Sequence, residues 1–182
     1  MATTIPATIG RIKEMIDAHF AARGFEWKTQ ESQGDHAQAK PTVFALICAE
    51  RNAANWPDAC PSVTIALQDV TAGRDTLQLN IVCHCAVVNS AIIEREKAVL
   101  LDDGIHYAYL EVDGYTEQGV REALFTDCLL LAEETMYALH TIAGVSNIKL
   151  IPPETLDDFP YCQCQVMATA TALTQYIPDD LL

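Results

Sequence analysis

The chain is poor in positive charge. Eleven Lys and Arg stand against 25 Asp and Glu, a formal net charge of −14. The basic residues form no cluster. Tight nucleic-acid binding rests on displacing counterions with a basic patch, so that class is excluded, and an anionic membrane surface is disfavoured for the same reason. Long hydrophobic runs are also missing. The longest uncharged apolar stretches reach about ten residues, short of the ~20 that a membrane helix needs. "MATTIPATIGRIKEM" lacks the basic start and apolar block of a secretory signal, which leads to the expectation of a soluble protein in a reducing cytoplasm. No H-E-x-x-H, phosphate-binding loop, G-x-G-x-x-G or G-x-S-x-G occurs.

What is present is apolar patterning. Half of the 182 residues are hydrophobic, enough for a single domain of residues 1–182 with a core that needs no staples. "IPATIGRIKEMIDAHFAARGF" places Ile9, Ile12, Ile16 and Phe20 on one helical stripe, with Pro6 suited to the first turn and Gly24 to the cap. "EWKTQESQGDHAQAKP" reads as a polar connector. "TVFALICA" (42–49) is continuously apolar and reads as a central strand covered on both faces.

The clearest local signal is a hairpin. Val63, Ile65 and Leu67 alternate with polar or small residues, Gly73 supplies the turn, and Leu77, Leu79, Ile81, Cys83, Cys85 and Val87 share one face of the next strand. Residues 89–115, with a "DDG" turn and the strand-like "IHYAYLEVDGY", read as an inserted β-arm. Then comes a long helix over 116–144, ended by Gly144. Its stripe of Val120, Leu124, Cys128, Leu131, Thr135, Leu139 and Ile142 is joined by a second apolar sector of Leu129, Leu130, Met136 and Tyr137. A helix apolar round most of its girth packs on two sides, against the sheet and against the first helix or another subunit. Two strands close the chain, "NIKLI" (147–151) and "YCQCQVMATATALTQY". The expected fold is therefore α+β: a mixed, mostly antiparallel sheet of about five strands packed against two helices, with an inserted arm.

Two C-x-C pairs, Cys83/Cys85 and Cys162/Cys164, raise the possibility of chemistry. Strand alternation sends all four to the buried side, where a free cysteine packs as a small hydrophobe. Positions i and i+2 lie about 6.6 Å apart with parallel Cβ directions, poor geometry for a disulfide. Were the two strands neighbours in register, four thiolates could meet on one face, yet zinc sites favour C-x₂₋₄-C knuckles on turns, so core packing outweighs metal binding. His84 lies between two cysteines in sequence yet faces the other way, which denies it a nucleophile to activate. Of the paired carboxylates, Asp102/Asp103, Asp157/Asp158 and Asp179/Asp180 read as solvated turn or terminal charge. Glu133/Glu134 lies on the helix, where adjacent residues do not converge. His19, His36 and His106 show no ligand spacing, and His140 suits the dipole at the helix end. No catalytic residue, cofactor or metal site is expected. Tyr107 and Tyr109 on the arm, Leu130 and Tyr137 on the long helix and Trp56 in a loop are the candidate contact residues. Trp27 and Trp56 read first as loop-covering core residues. Surplus apolar helix surface and an arm suggest assembly.

The succession "CPSVTIAL", "DTLQLNIVCHCAVV", "CLLLAEETMYALHTIAG", "NIKLIPPETL" and "PYCQCQVMATATAL" resembles the tail terminator (tail completion) proteins of tailed bacteriophages. The resemblance lies in order and spacing over about two-thirds of the chain, and segment 89–115 departs from it. It implies a structural virion protein of the tail or neck, assembled in the host cytoplasm. Six copies would form a ring that caps the tail tube protein and meets the head-tail connector protein. DNA would pass the acidic bore without being bound. The competing expectation is an acidic binding module like the dimeric secretion chaperones, which share the element order but usually end in a helix.

Overall fold

A computed structural model of the chain describes residues 4–23, 27–28, 38–39, 41–46, 61–88, 98–100, 107–109, 117–153 and 161–173. Helix α1 spans Ile5–Arg23. Thr4 caps it, its Oγ1 accepting from the Ala7 amide at 3.3 Å, which satisfies one of the free amides of the first turn. Ile9, Ile12, Ile16 and Phe20 are all buried, as their spacing predicts.

The strands follow. β1 (Trp27–Lys28) pairs with β2 (Gln38–Ala39) inside what reads as a plain connector; two-residue strands are too short for alternation to reveal. β3 (Thr42–Ala45), β4 (Ser62–Ala72) and β5 (Thr76–Val88) begin the main sheet. β6 (Ala98–Leu100) and β7 (Tyr107–Tyr109) form a separate antiparallel ladder within the segment read as an arm. Helix α2 spans Glu117–His140, followed by β8 (Val145–Ile151) and β9 (Tyr161–Leu173).

The main sheet has the order β3-β4-β5-β9-β8. It is antiparallel except where β3 runs parallel to β4, so the fold is α+β with a mixed five-stranded sheet and two helices. One expectation fails. The apolar run at 42–49 opens as an edge strand of the described sheet rather than a central one: Thr42–Ala45 is strand, and 47–49 lie outside the described residues. Val43 is buried in the core and Ala45 packs against it. Apolar residues on both faces report burial, and burial does not fix a strand's rank in the sheet. Leu46, at φ 67°, ends the strand, its amide still donating to Ile65 O at 2.8 Å.

β4 and β5 form the expected hairpin, closed where the Gly73 amide donates to Thr76 O at 2.7 Å. A bulge between Leu67 and Asp69 shifts the register. The shift keeps Val70 opposite Leu79 and Ala72 opposite Leu77, so the inward set resumes beyond the irregularity.

Both helices lie on the inward face of the sheet. There β5 presents Leu79, Ile81, Cys83, Cys85 and Val87, and β9 presents Cys162, Cys164, Val166, Ala168, Ala170 and Ala172, all in one buried cluster with Leu124, Cys128, Leu131, Leu139 and the isoleucines of α1. No helix among the described residues is long and apolar enough to cross a membrane.

The end of α2 tightens, Thr141 and Ile142 donating to carbonyls three residues back, before Gly144 turns the chain at φ 86°. The Gly144 carbonyl accepts from the Thr171 amide at 2.8 Å, fixing the turn to β9. A Cβ there would meet only Thr171 O, at an ordinary 3.5 Å, so the cost of a side chain is backbone strain. Gly144→Ala is expected to lower stability by about 1–2 kcal/mol in denaturant melts, and an unchanged midpoint would refute this account of the turn.

Candidate interaction surface

α2 is the element through which the core and the outer surface communicate. Its inward side packs Leu124, Cys128, Leu131, Thr135 and Leu139 onto the sheet, all fully buried. On the opposite side Thr126, Leu130, Glu133, Tyr137 and His140 are exposed, recurring every four and three residues along one stripe. Leu130 and Tyr137 are two of the large exposed hydrophobics, Tyr137 half accessible. Its hydroxyl donates to Glu133 Oε1 at 3.3 Å, an i, i+4 contact that holds the ring along the helix surface. The second apolar sector thus splits. Met136 packs against the core, whereas Leu130 and Tyr137 do not turn inward. Among the other candidates, Tyr107 and Tyr109 occupy β7, opposite Leu100 and Ala98, and Trp56 lies outside the described residues.

The cysteines face inward. β5 and β9 are neighbours, and Cys85 stands directly opposite Cys164, with Cys83 opposite Val166 and Cys162 opposite Val87. Cys128 of α2 meets them from above. Its thiol donates to Cys85 O at 3.6 Å, and the Cys164 thiol donates to Cys128 O at 3.5 Å. Cys85 donates to Thr135 Oγ1 at 3.6 Å, while Thr135 donates to Leu131 O at 2.8 Å. Each of these thiols has an acceptor, as buried polar groups require. Burial pushes the Cys83 thiol up to about 12. A shared hydrogen with Cys164, together with burial, holds Cys85 well above the ordinary thiol value. Cys83 and Cys85, held protonated, make poor nucleophiles, whereas hydrogen bonding from Cys128 and Cys85 pulls Cys164 down to about 4 and that from Cys128 brings Cys162 below the ordinary thiol value; for these two it is burial that shuts out a reaction partner. Among the described residues, no three His, Cys, Asp or Glu side chains are arranged to hold a metal ion.

His84 does face away from its cysteine neighbours, its Nδ1 3.0 Å from Gln163 Nε2 on β9. Ser62 and Thr64 share that outer face, their hydroxyls buried without a hydrogen-bond partner. A groove lined by Thr8, Arg11, Ile142 and Thr171 encloses about 40 Å³, room for a water or two and far below the several hundred Å³ of a ligand pocket.

Sequence reading missed one polar centre. Glu133 and Glu134 diverge on α2, as adjacent helical residues must, but Glu134 turns between the helices and is 4% exposed. It accepts from His19 Nε2 at 2.8 Å and from Arg23 through Nε at 3.3 Å and Nη2 at 3.1 Å. Burial alone would raise the Glu134 carboxyl. The bonds from Arg23 and His19 outweigh that and bring it below the usual carboxylate value. His19 and Arg23 sit four apart on the last turn of α1, a spacing that signals one face and nothing more; the partner is more than a hundred residues away.

Two predictions follow from these packings. A carboxyl lowered by folding contributes stability that is present above its unfolded value and lost as pH falls through its folded one. Glu134→Gln is therefore expected to cost about 2 kcal/mol at neutral pH, and the gap from wild type should shrink in acid melts below about pH 4. A constant gap across pH would refute the ion pairing. Thiol labelling should spare Cys83, Cys85, Cys128, Cys162 and Cys164 in the native protein and reach them only on unfolding; rapid native labelling at Cys164 would refute the sealed layer. Comparison of the chain with protein-family models and with curated proteins finds no match in either, so any function must be argued from this geometry and the sequence.

Proposed function

We propose that this chain is a ring-forming structural protein of the tail-terminator kind, which caps a tail tube and presents a surface to the head-tail connector. The observation that carries the reading is the outer stripe of α2. A helix whose inner side already fills the core still displays Leu130 and Tyr137 to solvent. Exposed apolar groups aligned along a rigid helix suit protein contact. With the two short ladders β1–β2 and β6–β7 set aside, the order of elements is helix, three strands, long helix and two strands, in keeping with the resemblance outside segment 89–115. The described thiols lie in the core cluster beneath α2, which suits a packing role. A charge of −14 suits a protein that DNA passes without adhering.

The test is the mass of the purified protein in solution. Multi-angle light scattering across a concentration series should give a closed assembly of about six copies, seen as rings by negative-stain electron microscopy, with tube protein favouring the ring. Monomer at every concentration, with and without tube protein, would overturn the reading. A dimer that binds unfolded polypeptide would replace it with the chaperone alternative. Leu130→Asp with Tyr137→Ala should weaken assembly or tube capping while leaving the thermal midpoint within a few degrees.

A further inference from the structure

The main sheet has two open edges of different character. At one end β8 has β9 on one side and no described strand on the other. At the other end β3 covers only the first third of β4, since the pairing runs from Thr42 opposite Ser62 to Ala45 opposite Ile65 and Leu46 then turns away. From Leu67 to Ala72 the outer side of β4 has no described strand beside it. Gln68 to Ala72 are exposed. Val70 within this stretch, and Leu46 at the end of β3, are two of the five large exposed hydrophobics among the described residues. Unpaired backbone beside exposed apolar side chains is a template for another strand.

We infer that the β4 edge at Leu67–Ala72 takes the β8 edge of a second copy of this chain, in antiparallel pairing, and that this contact joins subunits head to tail. The inference rests on the ring reading and names its interface. Strand direction is the first argument. β4 runs antiparallel to β5, β5 to β9 and β9 to β8, so β4 and β8 run oppositely. A copy rotated about an axis parallel to the strands therefore offers β8 antiparallel to β4 and keeps its helices on the same side of the sheet. Contacts between two different edges are heterologous, and they close into a ring where the rotation from copy to copy closes.

Side chains supply the second argument, and they select a register. Asp69 is exposed on the outer face, where it accepts from Asn80 Nδ2 at 2.7 Å. Lys149 is exposed on the outer face of β8, opposite Met167. Val70 and Ile148 lie on the inward face, Val70 exposed and Ile148 half buried beside the core. Placing Lys149 of the partner subunit opposite Asp69 puts Ile148 of the partner subunit opposite Val70. One register thus satisfies the charge and the apolar pair together, each on its own face. Bulges at Leu67/Asp69 and Ser146/Lys149 interrupt the two edges, so the register is set by these two pairs, and Leu67 and Ile151 beyond them no longer share a face.

The experiment uses the full chain. Asp69→Lys and Lys149→Asp are each expected to raise the concentration needed for assembly about tenfold, since each sets like charges in opposition. Mixing the two variants in equal amounts should restore assembly, because every contact in an alternating ring again joins opposite charges. The double variant D69K/K149D should assemble alone. With Val70→Cys and Ile148→Cys in one chain, mild oxidation should give a covalent ladder up to the full ring. A thermal midpoint near wild type for each variant shows that folding is intact. If the wild type forms rings that neither reversal disturbs and the cysteine pair does not link, the ring stands and this interface falls. If Val70→Cys alone links into dimers while Lys149→Asp has no effect, the β4 edge pairs with itself and the inference is overturned. If the wild type stays monomeric, both readings fall.

Discussion

The close approach of α2 to the middle of the sheet is the constraint on which the rest of this structure depends. β5 and β9 run side by side for their whole lengths, and their inward faces are built largely from Cys, Ala and Val. Cys164, Ala168, Ala170 and Ala172 make a shallow floor on which the leucines of α2 can settle. Burial of apolar surface stabilises by roughly 25 cal/mol per Å², but only if no void is left between helix and sheet. Small floor residues beneath large helix residues meet that condition. Thiols serve because they pack like small hydrophobes and because each finds a nearby acceptor, as Cys128 does at Cys85 O. The C-x-C repeats follow from a strand period of two beneath one helix. They need no reactive chemistry to explain them.

That layer was legible in the sequence because both of its periods are local. Ile9, Ile12, Ile16 and Phe20, the alternation of Val63 to Leu67, and the inward cysteines all declare their side within a few residues. The rank of a strand in a sheet is not local. The run beginning at Thr42 has the apolar content of a central strand, and its place at the edge is set by the parallel pairing with β4, which no period in the sequence records. The bulge at Leu67/Asp69 is likewise visible only once β5 lies beside it. Two-residue ladders such as β1 with β2 are shorter than one full alternation and leave no trace.

The centre at Glu134 shows the same limit in polar form. Periodicity can say that Glu134 points away from Glu133, and that His19 and Arg23 share a turn of α1. It cannot say that these two facts meet. The three side chains come together because α1 crosses α2 where a carboxylate has been taken out of water, and an unpaired buried charge there would be costly. His19 and Arg23 satisfy it from the more exposed side. Apolar stripes set how far apart the helices lie; this cluster adds a directional tie that selects where along their length they cross.

Assembly of such a chain must overcome repulsion between copies that each carry −14. Repulsion between solvated charges falls off within a Debye length of about 8 Å at physiological salt, so what matters is the charge at the contact, not the total. The edges proposed to meet are favourable in this respect: Asp69 on one is matched by Lys149 on the other, and apolar Val70 and Ile148 stand behind them. The outer face of β5 and β9 between those edges mixes Gln78, Asn80, His84, Gln163, Gln165, Thr169 and Thr171 with Val82, Ala86 and Met167; it carries no carboxylate, and Val82 and Ala86 are buried there, so little of the charge that separates copies lies between the two edges.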